Sequence, residues 1–255
     1  MKPGPIFWLV SIFVVLLMIV PITLLFLSMG ADTFVDGITD KEVIKSVVLT
    51  IECGILATIL GLITGLPLSF TLAKARPQIR RILEPLIEVP IVIPPVVAGV
   101  ALFFMISGNS MTGRFLAWLG LKLYENPAGI VLGMYFVGVP FIVKSTVAGF
   151  MGKIERFEMM ARSLGASPQK VFLTISLPLN LRAIVNGSIL MFGRSVGIFG
   201  TVMIITYATP TIPVLVFDRF KSTGLQSALP PALLLVAVSL ILFLLRQMIL
   251  RRALK

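Results

Sequence analysis

Hydrophobic positions in this chain fall in long runs rather than in strict alternation, and short polar stretches separate the runs. A helix needs about 20 apolar residues to cross a bilayer. Six stretches have that character: Ile6–Ser28, Lys45–Ala73, Val89–Ser107, Ala128–Phe150, Ile184–Tyr207 and Ala232–Leu250. They are apolar all round, so periodicity does not orient them. The pattern predicts an all-α integral membrane protein with six transmembrane helices.

The longest mixed polar segment is Glu155–Pro178, ERFEMMARSLGASPQKVFLTISLP. It reads as two short helices joined by a tight break. Glu155 and Glu158 suit the start of the first helix and Arg162 its end, as the macrodipole prefers. Gly165 supplies a left-handed stop. Ser167 caps the second helix, with Pro168 at its first position, and Pro178 limits it.

The first span follows Lys2 and precedes the small residues around Ser28–Ala31, as a secretory leader would. Its apolar run exceeds the roughly 7–15 residues of a leader core, so it reads as a retained helix. The second span is longer than a straight crossing needs and holds Pro67. Pro90, Pro94 and Pro95 interrupt the third span, and Gly138 and Pro140 the fourth. Such breaks are either packing kinks or the border of a permeation path.

Composition strengthens the membrane assignment. The 255 residues are 57% hydrophobic and 13% charged, with mean hydropathy +1.04. No soluble domain hides that much apolar surface. The net charge of +11 does not point to nucleic acid, because the basic residues sit between spans, where they set topology. One loop set carries Lys74, Arg76, Arg80 and Arg81, then Lys153, Arg156, Arg162, Lys170 and Arg182, then Arg246, Arg251, Arg252 and Lys255. The other carries Lys41, Arg114, Lys122, Arg219 and Lys221 with Asp32, Asp36, Asp40, Glu42, Glu125 and Asp218. The first set is therefore read as cytoplasmic, which places both termini and the 155–178 segment inside.

The chemistry available is narrow. There is no histidine, and the lone cysteine, Cys53, lies in an apolar span. His-based proton transfer and the usual zinc sites are excluded, as is an internal disulfide. No G-x-x-x-x-G-K-[ST] occurs; Gly152–Lys153 lacks the upstream glycine and runs into Ile154. GNSMTG at 108–113 has the wrong spacing for a nucleophile elbow. Among the intramembrane charges, Lys144 sits close enough to a membrane face to snorkel, and Glu52 and Glu88 lie near span ends. Arg194 is deep in the fifth span, either paired with an acid or attracting an anion. Ser188, Ser195 and Thr201 on that span either face a ligand or bond their own backbone. Six spans with broken helices and an organised inner loop read as a translocator; if it is powered, the motor is another chain that docks on that loop.

EMMARSLGASPQKVFLTISLP resembles the EAA loop of the membrane subunits of binding-protein-dependent ABC importers, E-A-A-x-x-x-G followed by I-x-L-P. Glu158, Ala161, Arg162, Leu164, Gly165, Ala166, Ser167, Phe172, Ile175, Leu177 and Pro178 fall where that pattern expects them; Met159 and Met160 depart from it. LPLSFTLAKARPQIRRILEPLIEVPIVIPPVVAG is similar to molybdate, tungstate and sulfate permeases. GRSVGIFGTVMIITYATPTIPVLVFDRFKSTGLQSALP is similar to the molybdate/tungstate permeases, although Gly197 and Ile198 replace the acidic pattern usual before Phe199.

The resemblance implies a type I importer permease: one transmembrane domain over 1–255, in the plasma or inner membrane, with a cytoplasmic EAA coupling loop at about 151–183. It implies a non-enzymatic subunit with no cofactor of its own, ATP and Mg belonging to the partner ATPases. The implied partners are a second permease copy, two ATPase subunits, an external binding protein, an oxyanion and membrane lipid. The expected coupling residues are Glu158, Met159, Met160, Ala161, Arg162, Ser163, Leu164, Gly165, Ala166, Ser167, Val171 and Phe172. Pro94, Pro95, Ser188, Arg194, Ser195 and Thr201 are expected along the path. Molybdate or tungstate is the first substrate reading, sulfate or another small anion the second. A self-sufficient secondary transporter or channel is the reading from a different class.

Overall fold

The computed structural model describes residues 4–28, 30, 35, 37, 39–151, 153–207 and 209–252. Lys2, Ala31, Asp32, Asp36, Gly152 and Lys255 lie outside the described residues. The described residues are helical or irregular, with α1 at Pro5–Leu27, α2 at Lys41–Lys74, α3 at Pro77–Val92, α4 at Pro95–Ile106, α5 at Met111–Trp118 and α6 at Pro127–Phe150. They continue with α7 at Lys153–Ser163, α8 at Pro168–Leu179, α9 at Leu181–Val196, α10 at Gly200–Ile205, α11 at Ile212–Thr223 and α12 at Leu225–Arg252. Four helices (α1, α2, α6 and α12) are long and apolar enough to cross a membrane, or up to six spans exist if each of two bent pairs counts as one.

The core is α2 against α6, with α9 packed on both. The face of α2 turned inward is made of small residues at helical spacing: Ser46, Thr50, Gly54, Ala57, Gly61, Gly65 and Ser69 are all buried. Lipid is as apolar as leucine, so helices in a bilayer associate through close backbone approach rather than through burial of grease. At Gly61 an added Cβ would fall 2.5 Å from Met191 Sδ, which shows how near α9 comes. Met134, Val137, Ile142 and Met191 fill the space between these three helices.

Several expected breaks lie elsewhere. The third expected span is not one helix: α3 and α4 meet at 106°. Pro94 and Pro95 both lack an N–H, and Ile93, ahead of a proline, is held extended at ψ 139°. Helix cannot continue through that pair. By contrast α2 passes Pro67, and α6 passes Gly138 and Pro140, without interruption. Each proline forfeits a single helical bond, which packed neighbours in a membrane tolerate. The fifth expected span is interrupted at Gly197–Phe199, between α9 and α10. The sixth extends in both directions, to Leu225–Arg252.

Candidate functional site

The 155–178 segment forms the expected helix–break–helix. α7 ends in a Schellman turn: the Ala166 N–H donates to the Ala161 carbonyl at 3.0 Å and the Gly165 N–H to the Arg162 carbonyl at 2.9 Å. That turn needs a left-handed residue, and Gly165 has φ +84°. Ser167 then caps α8, its Oγ accepting from the Lys170 N–H at 3.3 Å, with Pro168 at the first helical position. Pro178 does not end this helix. The turn widens to a π form over Phe172–Ser176 just before it, and the helix runs to Leu179. A 71° bend then leads into α9.

The segment has two faces. Inward, Glu158 is 2% exposed. One of its carboxylate oxygens lies 2.5 Å from Lys74 Nζ at the end of α2, and the other accepts the Ser176 hydroxyl at 2.6 Å. Val171 is fully buried. Phe172 meets the ring of Phe70 at 4.9 Å and that of Phe150 at 6.2 Å, joining α8 to α2 and α6. Asn180, at the bend, donates from Nδ2 to the Thr146 carbonyl at 2.9 Å, and Thr146 Oγ1 donates to Ser69 Oγ at 2.7 Å. Outward, Met159 is 56%, Met160 64% and Leu164 89% exposed, beside exposed Arg162 and Ser163. Ala161 and Ala166 are half-buried at the turn. Glu158, Val171 and Phe172 therefore fasten the segment to the bundle, and the methionines and Leu164 form its free surface.

The candidate path residues are not gathered at one place. The Thr201 hydroxyl donates to the Pro95 carbonyl at 2.7 Å, which fixes α10 against the break before α4. Ser195 donates to the Met134 carbonyl at 3.4 Å, and Ser188 to the Ile184 carbonyl at 2.8 Å. All three hydroxyls donate to backbone carbonyls, the second of the two readings: Ser188 to its own helix, Ser195 and Thr201 to neighbouring ones. Pro94 is exposed at the bend. Arg194 is half-buried, and among the described residues no carboxylate lies within ion-pair distance of it. Lys144 does more than snorkel: it pairs with Glu88 at 2.9 Å across α3 and α6.

Residues 57–255 match the family described as "Binding-protein-dependent transport system inner membrane component". The chain belongs to that family. It is thus a membrane component of a transport system rather than an enzyme. Among curated relatives it is similar to the molybdate/tungstate transport system permease protein WtpB of Methanocaldococcus jannaschii, 41% identical over 120 residues, 47% of this chain and 48% of the relative. It is 34% identical over 151 residues to the molybdenum transport system permease protein ModB of Mycobacterium bovis, covering 57% of this chain and 56% of the relative. The probable sulfate transport system permease protein cysT of Zygnema circumcarinatum is 28% identical over 147 residues, 56% of this chain and 51% of the relative. The chain thus spans about half the length of the curated relatives it matches.

In fold, the family member is similar to a bacterial ABC transporter involved in import of the acidic polysaccharide alginate, with TM-score 0.74, 17% identity and coverage of 97% of this chain and 96% of that one. It is also similar to the inward-facing MetNI methionine ABC transporter, with TM-score 0.64, 16% identity and coverage of 82% and 95%. The expected type I importer permease fold is therefore the observed one.

The expectation missed Lys74, Ser176, Asn180, Thr146 and Ser69 as parts of the site. Their signal in the sequence was polarity at positions flanking or inside apolar runs, without a spacing that names a partner.

Proposed function

We propose that this permease carries a tetrahedral oxyanion, molybdate or tungstate first, as half of a homodimeric pathway. Two cytoplasmic ATPase subunits grip α7 and α8, and an external binding protein delivers the anion. ATP and Mg belong to the ATPases. Both termini lie on the cytoplasmic side with the coupling segment. The observation that carries this reading is the division of α7: Glu158 is held inward while Met159, Met160 and Leu164 project from a capped, rigid turn. Flexible apolar side chains on such a projection suit an apolar groove on a partner. The likeness to molybdate and tungstate permeases supports the substrate class. Arg194, half-buried and with no carboxylate at ion-pair distance among the described residues, adds to a positive field that attracts an anion without binding it tightly.

Sulfate is the second reading, supported by the weaker likeness to a sulfate permease. The test is a reconstituted complex with its ATPase and binding protein. Molybdate or tungstate raises ATP hydrolysis, and sulfate does not; stimulation by sulfate alone overturns the substrate reading. A tagged chain brings down an ATPase subunit, and Gly165→Pro abolishes this while the protein still inserts. An undiminished pull-down overturns the docking role. Uptake by the purified chain without any ATPase supports a self-sufficient transporter instead.

A further inference from the structure

α2 is unusual in being anchored by charge at both ends. It runs 34 residues without a break, about 51 Å at 1.5 Å per residue. Its hydroxyls are satisfied on its own carbonyls: Thr50 donates to Ser46, Thr58 to Gly54 and Ser69 to Gly65 at 2.6–2.7 Å. At the C-terminal end Lys74 is joined to Glu158 of α7. At the N-terminal end Asp40 caps the helix, accepting from the Glu42 N–H at 2.8 Å. Arg219 of α11 then bridges Asp40 at 2.6 Å and Glu42 at 2.7 Å. A second tie lies about two turns further along α2, where the Ile212 N–H donates to Thr50 Oγ1 at 2.9 Å. The Arg219 side chain is 17% exposed and Asp40 33%, so this half of the clasp is partly buried, while Glu42 stays on the surface. Acids at the helix start and a lysine at its end also match the helix dipole.

We propose that α2 is a strut between α7 and α11, with Lys74 and Arg219 as the positioning residues at its two ends. Displacement of the coupling segment on one side of the membrane is delivered along α2 to α11 on the other. This rests on the coupling role proposed for α7 and α8. The small-residue face lets α2 lie close against α6 and α9, with Leu72 on Val143 and Val147 and with Met191 seated at Gly61. The ion pairs and the backbone tie add polar grips to α7 and α11 beyond the Thr146–Ser69 hydrogen bond on that face.

The test uses hydrogen exchange on the full chain in lipid nanodiscs, which does not depend on the ATPase. Lys74→Gln raises amide exchange in α11, residues 212–223, by about fivefold or more, and Arg219→Gln does the same in α7, residues 153–163. Lys74→Arg leaves both unchanged. Mutations this far apart add when they act independently; here the double variant exchanges no faster at either end than the single ones. Effects confined to each variant's own end, or full additivity, overturn the strut. Exchange in α6 at the wild-type rate shows that a variant is folded. If Lys74→Gln is not, Ser176→Ala loosens the same anchor without unpairing a charge and carries the same expectation for α11. In the reconstituted complex, absence of ATPase binding by the wild type defeats the coupling reading separately.

Discussion

Glu158 lies 2.5 Å from the Lys74 ammonium and is buried beneath the segment it belongs to. The residue that most marks the loop in sequence is therefore not on its accessible surface. Removing the carboxylate leaves Lys74 without a partner and the Ser176 hydroxyl without an acceptor. Lys74 is 26% exposed and regains some water, so Glu158→Ala is expected to cost about 3 kcal/mol, the low end for a broken buried pair. Ser176→Ala is expected to cost about 1 kcal/mol. Thermal unfolding of the purified protein orders the two; equal losses contradict the pairing.

Gly149 and Asn180 form a close contact that tolerates no side chain. A Cβ on Gly149 would fall 1.7 Å from Asn180 Oδ1 and 2.9 Å from Ala183 Cβ. Gly149→Ala is expected to destabilise by about 1–3 kcal/mol through overpacking. Asn180→Ala in the same chain recovers part of that loss, because the principal clash is gone. Chemical denaturation of the two variants measures it, and a double variant less stable than Gly149→Ala contradicts the contact.

The Thr201 hydroxyl donates to the Pro95 carbonyl at 2.7 Å, and a purely structural role is expected for it. Thr201→Val keeps the shape but removes the second donor to a carbonyl in the first turn of α4, at a cost of about 1 kcal/mol. Unfolding temperature falls while the anion concentration for half-maximal transport stays the same. A changed concentration with unchanged stability reverses the assignment.

Burial raises the Asp40 pKa, but hydrogen bonds from Arg219 and from the Glu42 and Val43 N–H groups, with the Arg219 charge, bring it below its ordinary 3.8. A carboxylate whose folded pKa is lowered stabilises the fold above its unfolded value, and that contribution disappears as pH falls through the folded one. Stability is therefore lost as pH drops below about 3.8. Arg219→Gln weakens this acid dependence. Unfolding temperatures across the acid range, in both proteins, test it; an unchanged dependence in the variant contradicts the clasp.

Much of this protein was legible in its sequence because the bilayer is a demanding solvent. Long apolar runs have to be helices when no water is present to satisfy the backbone, and α1, α2, α6 and α12 follow from that rule. The two short helices around Gly165 were also legible. A left-handed glycine, a serine cap and a first-turn proline are local signals that need no distant partner. The Pro94–Pro95 pair marked the break before α4 for the same reason.

Which prolines break a helix and which are absorbed was decided by tertiary packing. Pro67 and Pro140 are isolated prolines that each cost one helical bond, and neighbouring helices hold α2 and α6 through them. The interruption at Gly197–Phe199 likewise depends on α10 turning to meet α4. Facing was decided in the same way. Nothing in the order of residues says that Glu158 points at Lys74, that Arg219 closes on Asp40 and Glu42, or that Ser195 and Thr201 are used up by carbonyls. Those relations join residues far apart in the chain, and the geometry of packed helices alone brings them together. The sequence determined the membrane helices and the capped turn through local and solvent physics; the tertiary structure decided which side chains that turn hides and which it presents.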